Sequence, residues 1–164
     1  MVLFYPLNMK YRRLTKEQLE ELHPEFINFL ATQKITAQEW QQIKQERPQV
    51  AEQELDVFSD LIWEGVLTQA NYITNAAPTR LFLFKAHKDH MELILVKLEA
   101  DQDLTTEEGM EWLRQHVDAP EVELFTAKKA YIKERNQELF AMIEQGAEIS
   151  KGALFDAFEQ LIRT

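Results

Sequence analysis

The chain has 164 residues, with 18 Lys and Arg against 28 Asp and Glu, and a formal net charge of -10. It contains no cysteine, which excludes disulfides, thiolate nucleophiles and cysteine-ligated zinc or iron–sulfur centres together. The acidic balance argues against nucleic acid as a partner, because that affinity rests on Lys and Arg neutralising phosphates.

The length fits one domain around a single core, and apolar residues make up 45%. The acidity is local. Positions 17–64 hold 11 acidic residues against Lys34, Lys44 and Arg47, and the basic cluster Lys10, Arg12, Arg13 and Lys16 directly precedes them. Residues 1–7 are apolar but few, contain Pro6, and lack the basic start and small-residue cleavage site of a secretory leader. Met9 is a second candidate start, which makes residues 1–8 a candidate amino-terminal extension. No run reaches the roughly 18 apolar residues of a membrane helix. The expectation is a cytoplasmic protein that does not enter membranes.

In chain order, Thr15 with Gln18 and Thr36 with Glu39 match capping boxes and predict two helix starts. Leu19, Leu22, Phe26, Phe29 and Leu30 recur at helical spacing, and Pro24 breaks or kinks that helix near Leu22. A short helix over 37–46 places Trp40 and Ile43 on one face. Pro48 suits the first turn of a third helix, with Ala51, Leu55, Phe58, Leu61, Ile62 and Val66 along its apolar side. Residues 71–79, with Asn71, Asn75 and Pro78, read as a loop. The runs 81–84 and 91–96 are strand formers joined around Lys88 and Asp89. They predict a β-hairpin in which Lys85 faces Glu92 and Phe84 faces Leu93, with helices over at least one face. Thr105 with Glu108 predicts a helix to about His116, residues 121–126 a third short strand, and 127–145 a helix closed by Gly146. Ser150 is the expected N-cap of a last helix that carries Leu154, Phe155, Phe158, Leu161 and Ile162 on one face. The fold class is α+β: a mostly helical single domain with a β-hairpin and a third short strand.

Glu52, Asp56, Asp60 and Glu64 recur every four residues on the third helix and stack as one carboxylate stripe. Like charges at this spacing cost roughly a few tenths of a kcal/mol per pair, so a counter-charge is expected. One source is a protein partner with a basic surface, which makes the stripe an interaction surface. Another is a divalent cation, for which Asp56, Asp60 and Glu64 are the candidate ligands, although no second motif completes a shell. The plainer alternative is a solvated face bridged to Arg12 and Arg13. His87 and His90 flank the hairpin tip and are candidate metal ligands, with Asp89 or Glu92 adding oxygen. His23 and His116 read as structural. Ser59 lacks a nucleophile elbow, and no catalytic, phosphate-loop or cofactor-binding fingerprint is present. Three helices before a hairpin also describe a winged helix-turn-helix. Here the third helix offers acids where base reading needs Arg, Lys, Asn or Gln.

The stretches Lys10-Tyr-Arg-Arg-Leu-Thr-Lys-Glu-Gln18, Glu52-Gln-Glu-Leu-Asp-Val-Phe-Ser-Asp-Leu-Ile-Trp-Glu-Gly65 and Ile149-Ser-Lys-Gly152 resemble an uncharacterised family of small acidic bacterial proteins, a domain of unknown function. The resemblance runs from residue 9 to about residue 162 and implies no activity, cofactor or catalytic residue. From the residues themselves, the leading expectation is a non-enzymatic cytoplasmic protein with an acidic helical interaction surface. The alternative is a small enzyme or divalent-cation-binding protein that uses the same stripe. The last helix, with Phe155 and Phe158, either buries itself or forms a homodimer seam.

Overall fold

The structure, a computed structural model, describes residues 9–164, so the expectation for residues 1–8 lies outside the described residues. Contacts divide the chain into two compact units, Met1–Val66 and Leu67–Thr164. Among the described residues there are seven helices and five strands, an α+β fold.

In the first unit, Thr15 caps α1 (Lys16–Glu21) through a reciprocal box with Gln18. The helix breaks at Leu22, and α2 (His23–Thr32) takes Pro24 into its first turn, where the missing amide costs nothing. Thr36 caps α3 (Ala37–Glu46) by accepting from the Glu39 amide, and α4 (Pro48–Gln69) starts at Pro48. Aromatic rings join these helices. Phe26 meets Trp40 and Phe58 edge-on, each at 5.1 Å between centroids, and Phe29 tilts onto Phe58 at 5.4 Å. The buried side of α4 in this unit is Ala51, Phe58, Ser59 and Trp63, whereas Leu61 and Val66, expected on it, are 56% and 44% exposed. The cause is residues 10–14, which bond to the helix beside Ser59 and draw the buried arc toward the acidic stripe, away from the flank of Leu61.

The second unit is built on one antiparallel sheet. Its strands β1 (Tyr72–Ala77), β2 (Arg80–Ala86), β3 (His90–Leu98), β4 (Val122–Ala130) and β5 (Glu148–Ser150) lie in the order β4-β3-β2-β1-β5. The expected hairpin is β2–β3, with Lys85 opposite Glu92 and Phe84 opposite Leu93. Residues 72–77 form a strand rather than a loop. Pairing with β2 on one side and β5 on the other outweighs the weak strand propensity of Asn75, Ala76 and Ala77. Residues 127–130, helical by propensity, extend β4 instead, with Ala127 opposite Leu93 and Lys128 opposite Glu92. The following helix, α6 (Arg135–Glu144), starts only after Glu134, and Gly146 follows it in the left-handed region as expected.

Two caps differ from expectation by one or two residues. Thr106, not Thr105, caps α5 (Glu107–Gln115), because the Thr105 amide and hydroxyl both bond to Asp103 Oδ1. Gly152, not Ser150, precedes α7 (Ala153–Arg163). Ser150 is held in β5 opposite Tyr72, and its hydroxyl accepts from the Gly152 amide. One sheet face is covered by helices: Leu81, Leu83, Ile94, Val96 and Leu98 pack with Leu104, Leu113 of α5, and Phe155 and Phe158 of α7. Among the described residues no helix is long and apolar enough to cross a membrane.

Gly152 has φ 84°, and a Cβ there would sit 2.5 Å from the Tyr72 ring. Gly152→Ala therefore combines a strained backbone with a displaced ring, and is expected to lose about 2 kcal/mol of stability in urea unfolding. Parent-like stability would contradict this packing.

Candidate functional site

The stripe on α4 lies against the basic residues that precede it in the chain. Asp60 accepts from two consecutive backbone amides, Lys10 N at 2.8 Å and Tyr11 N at 3.0 Å. Glu64 accepts from the Tyr11 hydroxyl at 2.6 Å and pairs with Lys10 Nζ at 3.0 Å. Arg13 pairs with Asp56 at 2.7 Å and with Glu52 one turn earlier. Ser59, fully buried, accepts from Leu14 N and donates to the Leu55 carbonyl. Arg12 stacks over Trp63 at 5.1 Å. The Asp56 carboxylate also raises the pKa of Arg13. Like-charge repulsion along the helix is thus offset within the unit by a strap of residues 10–14.

The candidate metal ligands are distributed differently from a coordination shell. His87 and His90 stack face to face at 4.4 Å, each with its own carboxylate: His87 Nε2 lies 2.8 Å from Glu92 and His90 Nδ1 2.7 Å from Asp89. Among the described residues no group of three or more His, Asp or Glu is arranged to hold a metal ion. His116 stacks on Trp112 at 4.3 Å and bonds its carbonyl, a structural role.

A groove of about 620 Å³ lies in the second unit, at the end of β2 and the start of α6. Arg135 is among its lining residues. Its Nε donates to the His87 carbonyl, one terminal nitrogen to the Leu67 carbonyl and Asn136 Oδ1, and the other to the carbonyls of Ala70 and Ala86. The guanidinium so closes the carboxyl end of α4, where a cation complements the helix dipole, and ties it to the β2–β3 turn. Asn136 donates to Thr68, and the Tyr131 hydroxyl to the His87 carbonyl, with burial raising that phenol's pKa. All five Arg135 N–H groups are spent on uncharged oxygens, so its positive charge is left for the groove. Lys85, Lys88 and His87 also line the groove, and Glu134 is its one carboxylate. The Lys85 ammonium sits 5.9 Å from the ring centres of Tyr72 and Phe155.

A family of unknown function, DUF6495, matches residues 9–163. The chain belongs to that family. No curated protein and no solved structure matches it. For this DUF6495 chain the sequence drew attention to the stripe and to His87, and missed Arg135, Thr68, Asn71 and Lys88. Arg135 fell inside a stretch read as continuous helix, and Lys85 was accounted for by its partner Glu92. An arginine just after a misread strand end was the only signal.

Removal of the Asp60 carboxylate leaves two backbone amides without their acceptor, so Asp60→Ala is expected to cost about 2 kcal/mol. Glu52→Ala removes only a half-exposed ion pair and should cost under about 1 kcal/mol. Urea midpoints of the two variants measure the difference, and equal losses would refute the strap's dependence on Asp60. The hydrogen bond from His87 is the main cause that holds the Glu92 carboxyl below its ordinary value of 4.5, so the stabilisation of the Glu92 carboxylate fades as pH falls from that value through the lower folded one. The melting-temperature gap between the parent and Glu92→Gln should therefore shrink as pH falls below 4.5 toward the lower folded value. A gap that widens in acid contradicts the pairing.

Proposed function

We propose that this chain is a non-enzymatic binding protein whose ligand is a small anion, carrying a phosphate or carboxylate group, held in the groove beside Arg135. The observation that carries this reading is the sign of the groove's charge. In a unit with 11 basic against 17 acidic residues, the groove gathers Arg135, Lys85 and Lys88 along its wall, with Glu134 the one carboxylate among its lining residues. A volume of about 620 Å³ suits a small ligand. Thr68, Asn71 and Asn136 add hydroxyl and amide groups at its walls, the chemistry that orients an anion once charge has attracted it. The acidic helix supports a role within the chain: a basic partner on the stripe would have to displace Lys10, Tyr11 and Arg13 from carboxylates that already hold them.

Titration with inorganic phosphate and with citrate, followed by calorimetry and by amide NMR shifts, tests the proposal. Saturable binding is expected, with shifts concentrated at residues 68–72, 85–88 and 134–136. The double variant Lys85→Gln, Lys88→Gln should bind at least about tenfold more weakly while melting like the parent. No saturable binding of either anion, or binding indifferent to both lysines, would overturn it.

A further inference from the structure

We propose that β4 is a self-pairing edge, and that two copies of the chain join antiparallel about Thr126 into one continuous ten-stranded sheet. β4 is nine residues long, lies at the edge of the sheet, and is exposed along most of its length, including Phe125 at 44%. Such an edge presents a row of backbone donors and acceptors.

The direction of those groups follows from the ladder. The Glu99 amide donates to the Glu121 carbonyl at 2.9 Å, so residue 121 faces β3. Antiparallel ladders alternate, so Glu123, Phe125, Ala127 and Lys129 also bond inward, and Leu124, Thr126 and Lys128 present N–H and C=O outward. A two-fold axis can then pass through an outward residue, or through an inward one whose outward neighbours pair with each other; centred on the inward Phe125 or Ala127, only seven of the nine residues of β4 overlap. Centred on Thr126, the whole strand pairs with itself, Val122 opposite Ala130 and Leu124 opposite Lys128. On the other face, Phe125 meets Ala127, and Glu123 meets Lys129 twice, once on each side of the axis. Centred on Lys128, two like charges oppose each other. Centred on Leu124, Pro120, which has no N–H, stands at a hydrogen-bonded position. The register centred on Thr126 is the one that pairs all nine residues of β4 and sets Glu123 against Lys129.

The single chain leaves the groups for this pairing in place. Lys97, the in-register neighbour of Glu123, has its ammonium over the Phe125 ring at 4.7 Å, and among the described residues Glu123 makes no ion pair. Lys129 reaches Glu138 at 3.3 Å, with its side chain more than half exposed. The opposite edge, β5, has only three residues, so pairing closes as a dimer instead of propagating.

Sedimentation velocity on the full chain tests the proposal. The parent should sediment at twice the chain mass at about 100 μM. Glu123→Lys and Lys129→Glu should each weaken the dimer at least about tenfold, and the double exchange should restore it. Thr126→Pro removes an outward amide that the β3–β4 ladder does not use, and should yield a monomer that melts like the parent. A monomeric parent at that concentration, single reversals that leave the dimer equally tight, or a folded double exchange that fails to recover it would each overturn the proposal.

Discussion

The Asp60 carboxylate accepting from two consecutive amides is the contact on which the first unit depends. A helix with four acids at spacing four is repulsive by itself, and an extended segment such as residues 10–14 has backbone groups that need partners. Each defect answers the other. Lys10 and Arg13 supply charge to Glu64, Asp56 and Glu52, Asp60 supplies acceptors to the segment, and Ser59 takes the next amide at Leu14. Tyr11 and Leu14 are buried as a result, so an electrostatic seam also settles which residues enter the core.

Arg135 does the corresponding work in the second unit. The carbonyls at the end of α4 lack helical partners, and the turn after β2 leaves those of Ala86 and His87 pointing toward the same place. One guanidinium, with five donors in a fixed fork, meets all of them. A lysine could reach one or two. All of these acceptors are neutral carbonyl oxygens, so the contacts bring no carboxylate to the guanidinium.

Elements governed by local chemistry were legible from the sequence. Thr15, Thr36, Pro24 and Pro48 act within one helical turn and mark their boundaries correctly, and the alternation of apolar residues around Lys88 and Asp89 set the β2–β3 register. What was not legible depends on partners distant in the chain. β1 is a strand because β2 and β5 flank it, and residues 127–130 are a strand because β3 offers Leu93 and Glu92. The same misreading hid the groove, since a helix drawn through 127–145 places Arg135 mid-helix rather than at a helix start beside the β2–β3 turn. The stripe was found, and Arg13, named as a bridge to it, pairs with Asp56 and Glu52, whereas the parts of Lys10 and Tyr11, 49 to 54 residues from their partners, were not legible.

Net charge is a poor guide to what each surface of this protein can bind. The acids of residues 52–64 are largely matched within their own unit, so the excess of -10 overstates the field that a partner would meet there. In the second unit acids are in the majority, yet its lysines and arginines are grouped. Lys85, Lys88 and Arg135 gather at one groove, and Lys128 and Lys129 at one end of an edge strand whose other end carries Glu123. Potential near a surface is set by the charges within about a Debye length, roughly 8–10 Å at physiological salt. An acidic chain can therefore carry a groove lined by basic residues in one place and an edge strand with opposite charges at its two ends in another, because each is decided by a handful of neighbouring side chains and not by the sum.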